Sequence, residues 1–269
     1  MIETQSLVHV YEGGTRAVDG VTLTIERGEA VAIIGQNGSG KSTLVRHLNG
    51  LLRPTEGRIV IDGVDAATRR VAQLAATVGL AFQDPDRQIF AGRVRNEVSF
   101  GPRNLGLVEP ELSKAVDEAL RATGLDGDAD TNPYDLGYSR RKLLALASIL
   151  AMRTPVVVLD EPTTGQDARG VALVEAIVAS LRDERRTTIA ISHDMRFVAQ
   201  TFDRVIVMRA GRVVLDGSPA EVFDEPNWPT LASTYLEPPL PARVGARMGL
   251  GCTPTEASLV AALAARSAR

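Results

Sequence analysis

The sequence predicts an α/β fold, and three observations carry that prediction. A short apolar run, Ala30 to Ile34, breaks at a glycine-rich loop, Gly35 to Thr43, and helical spacing follows to about Gly50. A second apolar run, Val156 to Leu159, ends abruptly on two carboxylates, Asp160 and Glu161. Between them, from about residue 84 to 152, strand-like runs give way to helical patterns. Runs that are apolar at every position mark strands buried on both faces of a parallel sheet. The expected organisation is therefore a core of residues 1–83 and 153–225 that opens with an antiparallel β-subdomain. A helical subdomain, 84–152, is inserted in it, and a helical tail occupies 226–269.

Taken in order, Leu7 to Tyr11 and Val21 to Ile25 read as strands, because apolar and polar residues nearly alternate, with Gly13-Gly14 turning between them. Tyr11 stands just before that turn. Its ring can stack on a purine base or pack on its own sheet, and local pattern alone favours packing. The loop at 35–43, GQNGSGKST, fits GxxxxGK(S/T) at every fixed position. Gly35, Gly38 and Gly40 let the backbone fold tightly, so that the amides of Asn37 and Ser39 to Thr43 point inward at an anion. The helix that follows aims its positive end at the same spot. Lys41 can reach the outer phosphates of a nucleoside triphosphate, and the Ser42 hydroxyl can hold Mg²⁺.

Arg58 to Asp65 reads as a hairpin turning at Asp62-Gly63, and Arg69 to Ala76 as a short helix. Val78 to Phe82 is a further buried strand and ends at Gln83. Leu112, Val116, Ala119 and Leu120 give Glu109 to Thr123 a helical stripe. Gly124 to Tyr138 reads as a loop, and about Arg140 to Ala151 as a strong helix. Asp160 and Glu161 then stand at the carboxyl end of their strand, the edge where open α/β sheets bind ligands. Asp160 suits a Mg²⁺-side ligand, and Glu161 can orient and deprotonate a water. Val171 to Leu181 reads as an amphipathic helix. The strand Thr188 to Ile191 ends at Ser192-His193-Asp194; alone, His193 reads as a structural histidine at a helix start, and its place at another strand's carboxyl end turns the reading toward contact with a γ-phosphate. Arg204 to Met208 and a hairpin at Gly211 to Asp216 close the core.

Composition limits the function classes. With 269 residues and 44% hydrophobic content the chain can bury a large core. A net charge of −3 and a pI near 5.7 argue against nucleic acid as a partner. The single cysteine, Cys252, forms no internal disulfide, as suits a reducing cytoplasm. The N-terminus lacks the basic start and apolar centre of a signal peptide. The longest apolar run, Leu143 to Met152, is far short of a membrane span, so any membrane role comes through a partner.

The phosphate loop, Gln83, the stretch DEPTTGQD at 160–167 and His193, in this order, resemble an ATP-binding cassette (ABC) ATPase over about residues 2 to 225. That resemblance implies a P-loop NTPase core, with a RecA-like mixed sheet flanked by helices, that binds ATP and Mg²⁺. Tyr11 matches the aromatic that stacks on adenine, and Gln83 the glutamine that links Mg²⁺ and the γ-phosphate to the transport partner. Glu161 matches the catalytic base, Asp167 the residue that communicates across a dimer, and His193 the γ-phosphate switch. Ser42, Gln83 and Asp160 are the implied metal-side residues. The segment VGLAFQDPDRQIF with NEVSFGPRNLGL is similar to the energy-coupling factor (ECF) subfamily, whose ATPases drive vitamin and metal-ion importers. The implied protein is peripheral on the cytoplasmic face of the membrane. It pairs with a second ABC ATPase subunit, as homo- or heterodimer, and serves a transmembrane coupling protein, seated near Gln83 to Phe90, and a membrane substrate-binding protein. The rival readings are a weakly hydrolysing partner in a heterodimer and a soluble non-transport ABC ATPase.

One departure stands out. Where the family has LSGGQ, this chain has Leu136-Gly137-Tyr138-Ser139-Arg140. Gly137 replaces the serine, and bulky Tyr138 replaces a glycine that permits close backbone approach. One expectation is a substitute signature, with Ser139 as N-cap of the helix and Arg140, Arg141 and Lys142 facing a triphosphate from its first turn. The other is a degenerate half-site that holds ATP with little hydrolysis. In the tail, Pro238-Pro239-Leu240-Pro241 reads as a rigid break. Ala242 to Met248 and Glu256 to Ala264 are helical patterns, the second with Thr255 as N-cap. In ECF ATPases such a piece helps pair the subunits; a loosely ordered end is the alternative.

Overall fold

Alternation decides the architecture of the main sheet. In the strand Ala30–Ile34, every residue is buried, yet Val31 and Ile33 enter one core cluster while Ala30, Ala32 and Ile34 enter another. The same split divides Val156 and Val158 from Val157 and Leu159. A strand sends successive side chains to opposite faces, so a run of unbroken hydrophobicity needs an apolar layer on each side. The computed structural model describes residues 1–267.

In chain order the elements are β1 (Ile2–Val10), β2 (Arg16–Ile25), β3 (Ala30–Ile34), α1 (Lys41–Leu48), β4 (Glu56–Ile61), β5 (Val64–Asp65), α2 (Val71–Ala75) and β6 (Val78–Ala81). The next group is helical: α3 (Val94–Asn104), α4 (Glu111–Ala122) and α5 (Tyr138–Ala151). The core resumes with β7 (Val156–Asp160), α6 (Ala168–Asp183), β8 (Thr187–Ile191), α7 (Met195–Thr201), β9 (Arg204–Arg209) and β10 (Arg212–Gly217). Short helices α8 (Pro219–Val222) and α9 (Trp228–Ala232) lead to α10 (Leu240–Arg247) and α11 (Glu256–Ser267).

The strands form two sheets. One has the order β10-β9-β3-β8-β7-β6, parallel from β9 to β6 with β10 antiparallel at the edge. The other, β2-β1-β4-β5, is antiparallel. Val31 and Ile33 of β3 share a core with Ile2, Leu7, Ile25 and Ile59 of that second sheet and with Leu44 and Leu48 of α1. The opposite face is covered by apolar residues of α3, α4, α5 and α6, including Val98, Val116, Leu144 and Val174. Parallel strands joined by helices bring their carboxyl ends to one edge, and that edge carries the loops after β3, β6, β7 and β8.

Several boundaries differ from the sequence reading. β1 reaches back to Ile2 and stops before Tyr11. A bulge at Ser6, with φ +47°, resets its alternation and hides the strand's first half in the sequence. α6 begins three residues earlier than expected, directly after Asp167. The 238–241 prolines do not merely interrupt the chain. Pro239 caps α10, and Pro241 sits in its first turn, where a missing N–H costs nothing. Thr255 accepts a hydrogen bond from the Ser258 amide at 3.1 Å at the start of α11. Leu231, Leu236 and Ala242 belong to the core cluster that holds Val205 and Val207, so the segment after Pro226 packs on the body of the protein.

Candidate functional site

The loop after β3 is pressed against the rest of the core at two glycines. A Cβ on Gly35 (φ +148°) would stand 2.2 Å from the Met208 carbonyl, and one on Gly40 (φ +102°) 2.2 Å from that of Ala17. Only glycine meets both the backbone angle and the contact. Gly40 then opens α1, whose first residues are Lys41, Ser42 and Thr43. Lys41 is 6% exposed, and its Nζ donates to the carbonyls of Gly35 at 2.6 Å and Gln36 at 2.9 Å. Burial pushes its pKa below the usual lysine value, with Glu161 and Asp160 pulling it back up.

Opposite this loop stand the two carboxylates after β7. Asp160 is buried, and its Oδ1 lies 3.5 Å from the Ser42 hydroxyl, the outer limit of a hydrogen bond. Burial raises its pKa. Glu161 is 3% exposed and adopts the left-handed region, φ +53°. Its Oε2 accepts from the His193 amide at 3.3 Å and from the Thr164 hydroxyl at 3.4 Å. His193 Nε2 comes within 2.9 Å of Oε1, yet that oxygen completes no hydrogen bond, so the contact is a close approach only. Burial pushes the Glu161 carboxyl up to about 7, with neighbouring Asp160 adding to the rise, while Lys41, the His193 amide and Lys142 oppose it. His193 is held below its ordinary value by burial and by Lys41.

These groups share one cavity of about 380 Å³. Of the residues expected from sequence, it is lined by Tyr11, Asn37, Gly38, Ser39, Gly40, Lys41, Ser42, Thr43, Gln83, Asp160, Glu161 and His193. Gly35 lies behind it, under Lys41. Thr15, Arg16, Ala17 and Ile191 also line it and were missed. The turn after Tyr11 folds Thr15 back, with the Tyr11 amide donating to its carbonyl at 3.0 Å. The strand pattern that starts at Val21 gave no sign of this.

Tyr11 lies at the rim with its hydroxyl 3.1 Å from Thr43 Oγ1 and its ring edge-on to His9, centroids 4.6 Å apart. Beneath it is a histidine pair the sequence reading also passed over. His47 Nδ1 is 2.7 Å from the Thr43 carbonyl, an acceptor only, so that nitrogen carries the proton. Its Nε2 meets His9 Nδ1 at 3.0 Å, which also faces the Arg53 carbonyl at 3.1 Å. Burial, the dominant cause, and His9 push His47 down to about 4, against the Thr43 carbonyl. His47 is therefore neutral, and the pair braces the end of the phosphate loop against β1.

The donors the cavity offers a cation are the Ser42 hydroxyl with the Asp160 carboxylate beside it, and Gln83, which lines the same cavity. Among the described residues no cluster of three or more His, Cys, Asp or Glu could cage a metal by itself. A few hard oxygen donors beside a phosphate cradle fit Mg²⁺, which keeps waters and takes phosphate oxygens as ligands.

Besides Gly35, two expected residues are not in the cavity, and one expectation is overturned. Asp167 caps α6, accepting from the Gly170 amide at 2.8 Å. Ser139 is not the N-cap of α5: the helix starts two residues earlier than that cap would place it, at Tyr138, with Gly137 as its extended cap. The Ser139 hydroxyl instead donates to Gln166 Oε1 at 2.6 Å. Nor do the three cations face an open anion site. Arg140 pairs with Asp128, Arg141 with Asp86 at 3.0 Å and the Leu136 carbonyl at 2.8 Å, and Lys142 donates to the carbonyls of Glu161 and Thr164. A first-turn cation is unfavourable beside the helix dipole, but these side chains reach away from the axis to acceptors of their own.

Comparison with known proteins agrees with this geometry. A family model described as ABC transporter matches residues 18–164. The chain is 42% identical over 225 residues to the energy-coupling factor transporter ATP-binding protein EcfA of Methanothermobacter thermautotrophicus, covering 83% of this chain and 72% of that one. It is 43% identical over 233 residues to the corresponding EcfA2 of Clostridium perfringens, covering 83% and 82%. Among solved structures it is similar to cbiO1 of Clostridium perfringens, part of the ABC transporter complex cbiONQ. That match has a TM-score of 0.76 and 38% identity, covering 92% of this chain and 98% of the other.

Proposed function

Because this chain belongs to the ABC transporter family, and within it to the energy-coupling factor transporter ATP-binding proteins, we propose that it is the ATP-hydrolysing subunit of an importer for a vitamin or a metal ion. The observation that carries the reading is one cavity lined both by the phosphate loop from Asn37 to Thr43 and by Glu161 with His193. In this reading the amides of the 35–43 loop, the N-terminus of α1 and Lys41 grip the β- and γ-phosphates. Tyr11 stacks on the adenine. Ser42, Asp160 and Gln83 hold Mg²⁺, which when bound neutralises charge on the phosphate oxygens. Glu161 takes a proton from a water as its oxygen bonds to the γ-phosphorus, and the bond to the bridging oxygen breaks to give ADP and phosphate. A neutral His193 donates to the γ-phosphate, and Asp167 responds to the partner ATPase subunit.

The protein works from the cytoplasmic face of the membrane. No described helix is long and apolar enough to cross a bilayer; in this reading the membrane path belongs to partner chains. A seat for the transmembrane coupling protein lies at Gln83 to Phe90. Phe90 and Phe100 are 60% and 50% exposed and stack edge-to-face at 4.7 Å. Close by, a cavity of about 390 Å³ is lined by Leu51, Phe82, Gln83 and Arg87. Apolar exposure on this scale marks an interaction face.

Glu161→Gln tests the reading. In a preparation co-purified from detergent-solubilised membranes it is expected to lose roughly 10²- to 10⁴-fold in turnover while still binding ATP. Hydrolysis near the wild-type rate removes Glu161 from the role. A second reading, a weakly hydrolysing partner in a heterodimer, is favoured by the first turn of α5, where Ser139 is held by Gln166 and Arg141 by Asp86 and the Leu136 carbonyl. ATPase assays of the chain alone and with a second ATPase subunit separate the two.

A further inference from the structure

The N-terminal part of α5, Tyr138 to Lys142, is tied to the loop that leaves β7 by contacts for which the hydrolysis scheme has no use. Lys142, 6% exposed, donates to the Thr164 carbonyl at 3.0 Å and to the carbonyl of Glu161 itself. Ser139 and Gln166 exchange two hydrogen bonds, hydroxyl to Oε1 at 2.6 Å and Nε2 to the Ser139 carbonyl at 3.1 Å. The Tyr138 ring covers Gly165 so closely that a Cβ there would stand 3.0 Å from it.

The left-handed backbone of Glu161 gives these contacts a purpose. A non-glycine residue is strained in that region and stays there only where its surroundings hold it. At Glu161 both backbone polar groups are held. The amide donates to Ile191 at 2.9 Å, and the carbonyl accepts from Lys142 and, at 3.3 Å, from the Thr164 amide. Rotating φ to an ordinary value would carry that carbonyl off the lysine and swing the carboxylate away from His193. Lysine brings three donors and needs no acceptor, so two carbonyls aimed at one point are a fitted seat for it. An uncompensated buried ammonium is costly, and the field of Asp160 and Glu161 offsets that cost here.

The segment after β6 holds the same helix. Gln88 donates to the Ala145 carbonyl at 2.8 Å in the middle of α5, and Asp86 pairs with Arg141 near its start at 3.0 Å. The segment proposed as the partner's seat and the peptide of the proposed base are thus both fastened to one helix.

We propose that Lys142 is a positioning residue for hydrolysis: it holds the Glu161 peptide in the left-handed conformation that aims the carboxylate at the phosphate cavity. This rests on Glu161 being the base. Lys142 does not line the phosphate cavity, so its loss is expected to act on kcat and to leave ATP affinity alone. Lys142→Met keeps the length and the apolar stem but removes the donors. In the preparation where wild type turns over, it is expected to lower kcat roughly 10- to 100-fold, the scale of a misplacement near 1 Å, with KM and the Kd of a fluorescent ATP analogue within about twofold of wild type. Lys142→Arg, which can still donate to both carbonyls, should recover most of the loss. A Lys142→Met enzyme with wild-type kcat overturns the proposal, and so does one whose kcat and affinity fall together. If Lys142→Met does not fold, Ser139→Ala and Gln166→Leu carry the same split between kcat and KM with a smaller loss, and unchanged kcat in both overturns the proposal. Glu161→Gln alongside separates the layers. Turnover surviving there removes the base, whereas turnover lost there but kept in Lys142→Met removes only the lysine's part.

Discussion

Two buried lysines, Lys41 at the start of α1 and Lys142 just past the first turn of α5, are near duplicates in isolation. Each is 6% exposed, each donates to two backbone carbonyls, and each has its pKa lowered by burial and pulled back by Glu161 and Asp160. The difference lies in where the carbonyls are. Those under Lys41 belong to residues five and six positions away in its own loop; those under Lys142 belong to residues nineteen and twenty-two positions away, across the β7 edge. Lys41 lines the phosphate cavity and Lys142 does not. A cation at a helix start becomes an anion-binding group only where the protein has no other lasting use for it.

The sharpest way to break that contrast is at the brace under α1. His47 titrates at about 4 in the folded chain against 6.5 for a free histidine. Its neutrality therefore costs nothing above pH 6.5, and stability is lost as pH falls from 6.5 toward 4, because the unfolded state binds the proton first. The loss is on the order of 3 kcal/mol, since each tenfold difference in proton affinity between the folded and unfolded chain is worth about 1.4 kcal/mol. Urea denaturation across that range should show a steeper loss for wild type than for His47→Gln; equal slopes would remove the buried pair from the account.

Lys41→Ala comes next. Losing a charge-assisted contact to phosphate should weaken nucleotide binding by about 1.5–3 kcal/mol, roughly ten- to hundredfold, in a titration with a fluorescent ATP analogue. An unchanged Kd would place Lys41 with Lys142 as an internal tie. Arg140→Ala has the smallest expected effect. Its partner Asp128 and its own side chain are partly exposed, so stability should change by no more than about 1 kcal/mol and ATP affinity not at all. A clear drop in affinity would return the α5 cations to the triphosphate.

The chain thus teaches unequally along its length. GQNGSGKST at 35–43 determined its own geometry, because its glycine angles, its helix start and Lys41's acceptors all lie within a few residues. Val156 to Glu161 and Thr188 to His193 were legible for a related reason: unbroken apolar runs require two-faced burial, and parallel strands bring their carboxyl ends to one edge. The fold class and the pairing of phosphate loop with carboxylates followed from that. Which side chains at a helix start are free was decided by tertiary structure alone. Ser139, Arg140, Arg141 and Lys142 read as an anion-facing turn until Gln166, Asp128, Asp86 and the Glu161 carbonyl arrive from distant segments and occupy them. Arg16, His9 and His47 joined the site in the same way, through a turn and a sheet-to-helix contact with no local signature. Local rules fix a backbone's shape because torsion and sterics are short-ranged; the partners of its side chains are fixed only when the chain has closed on itself.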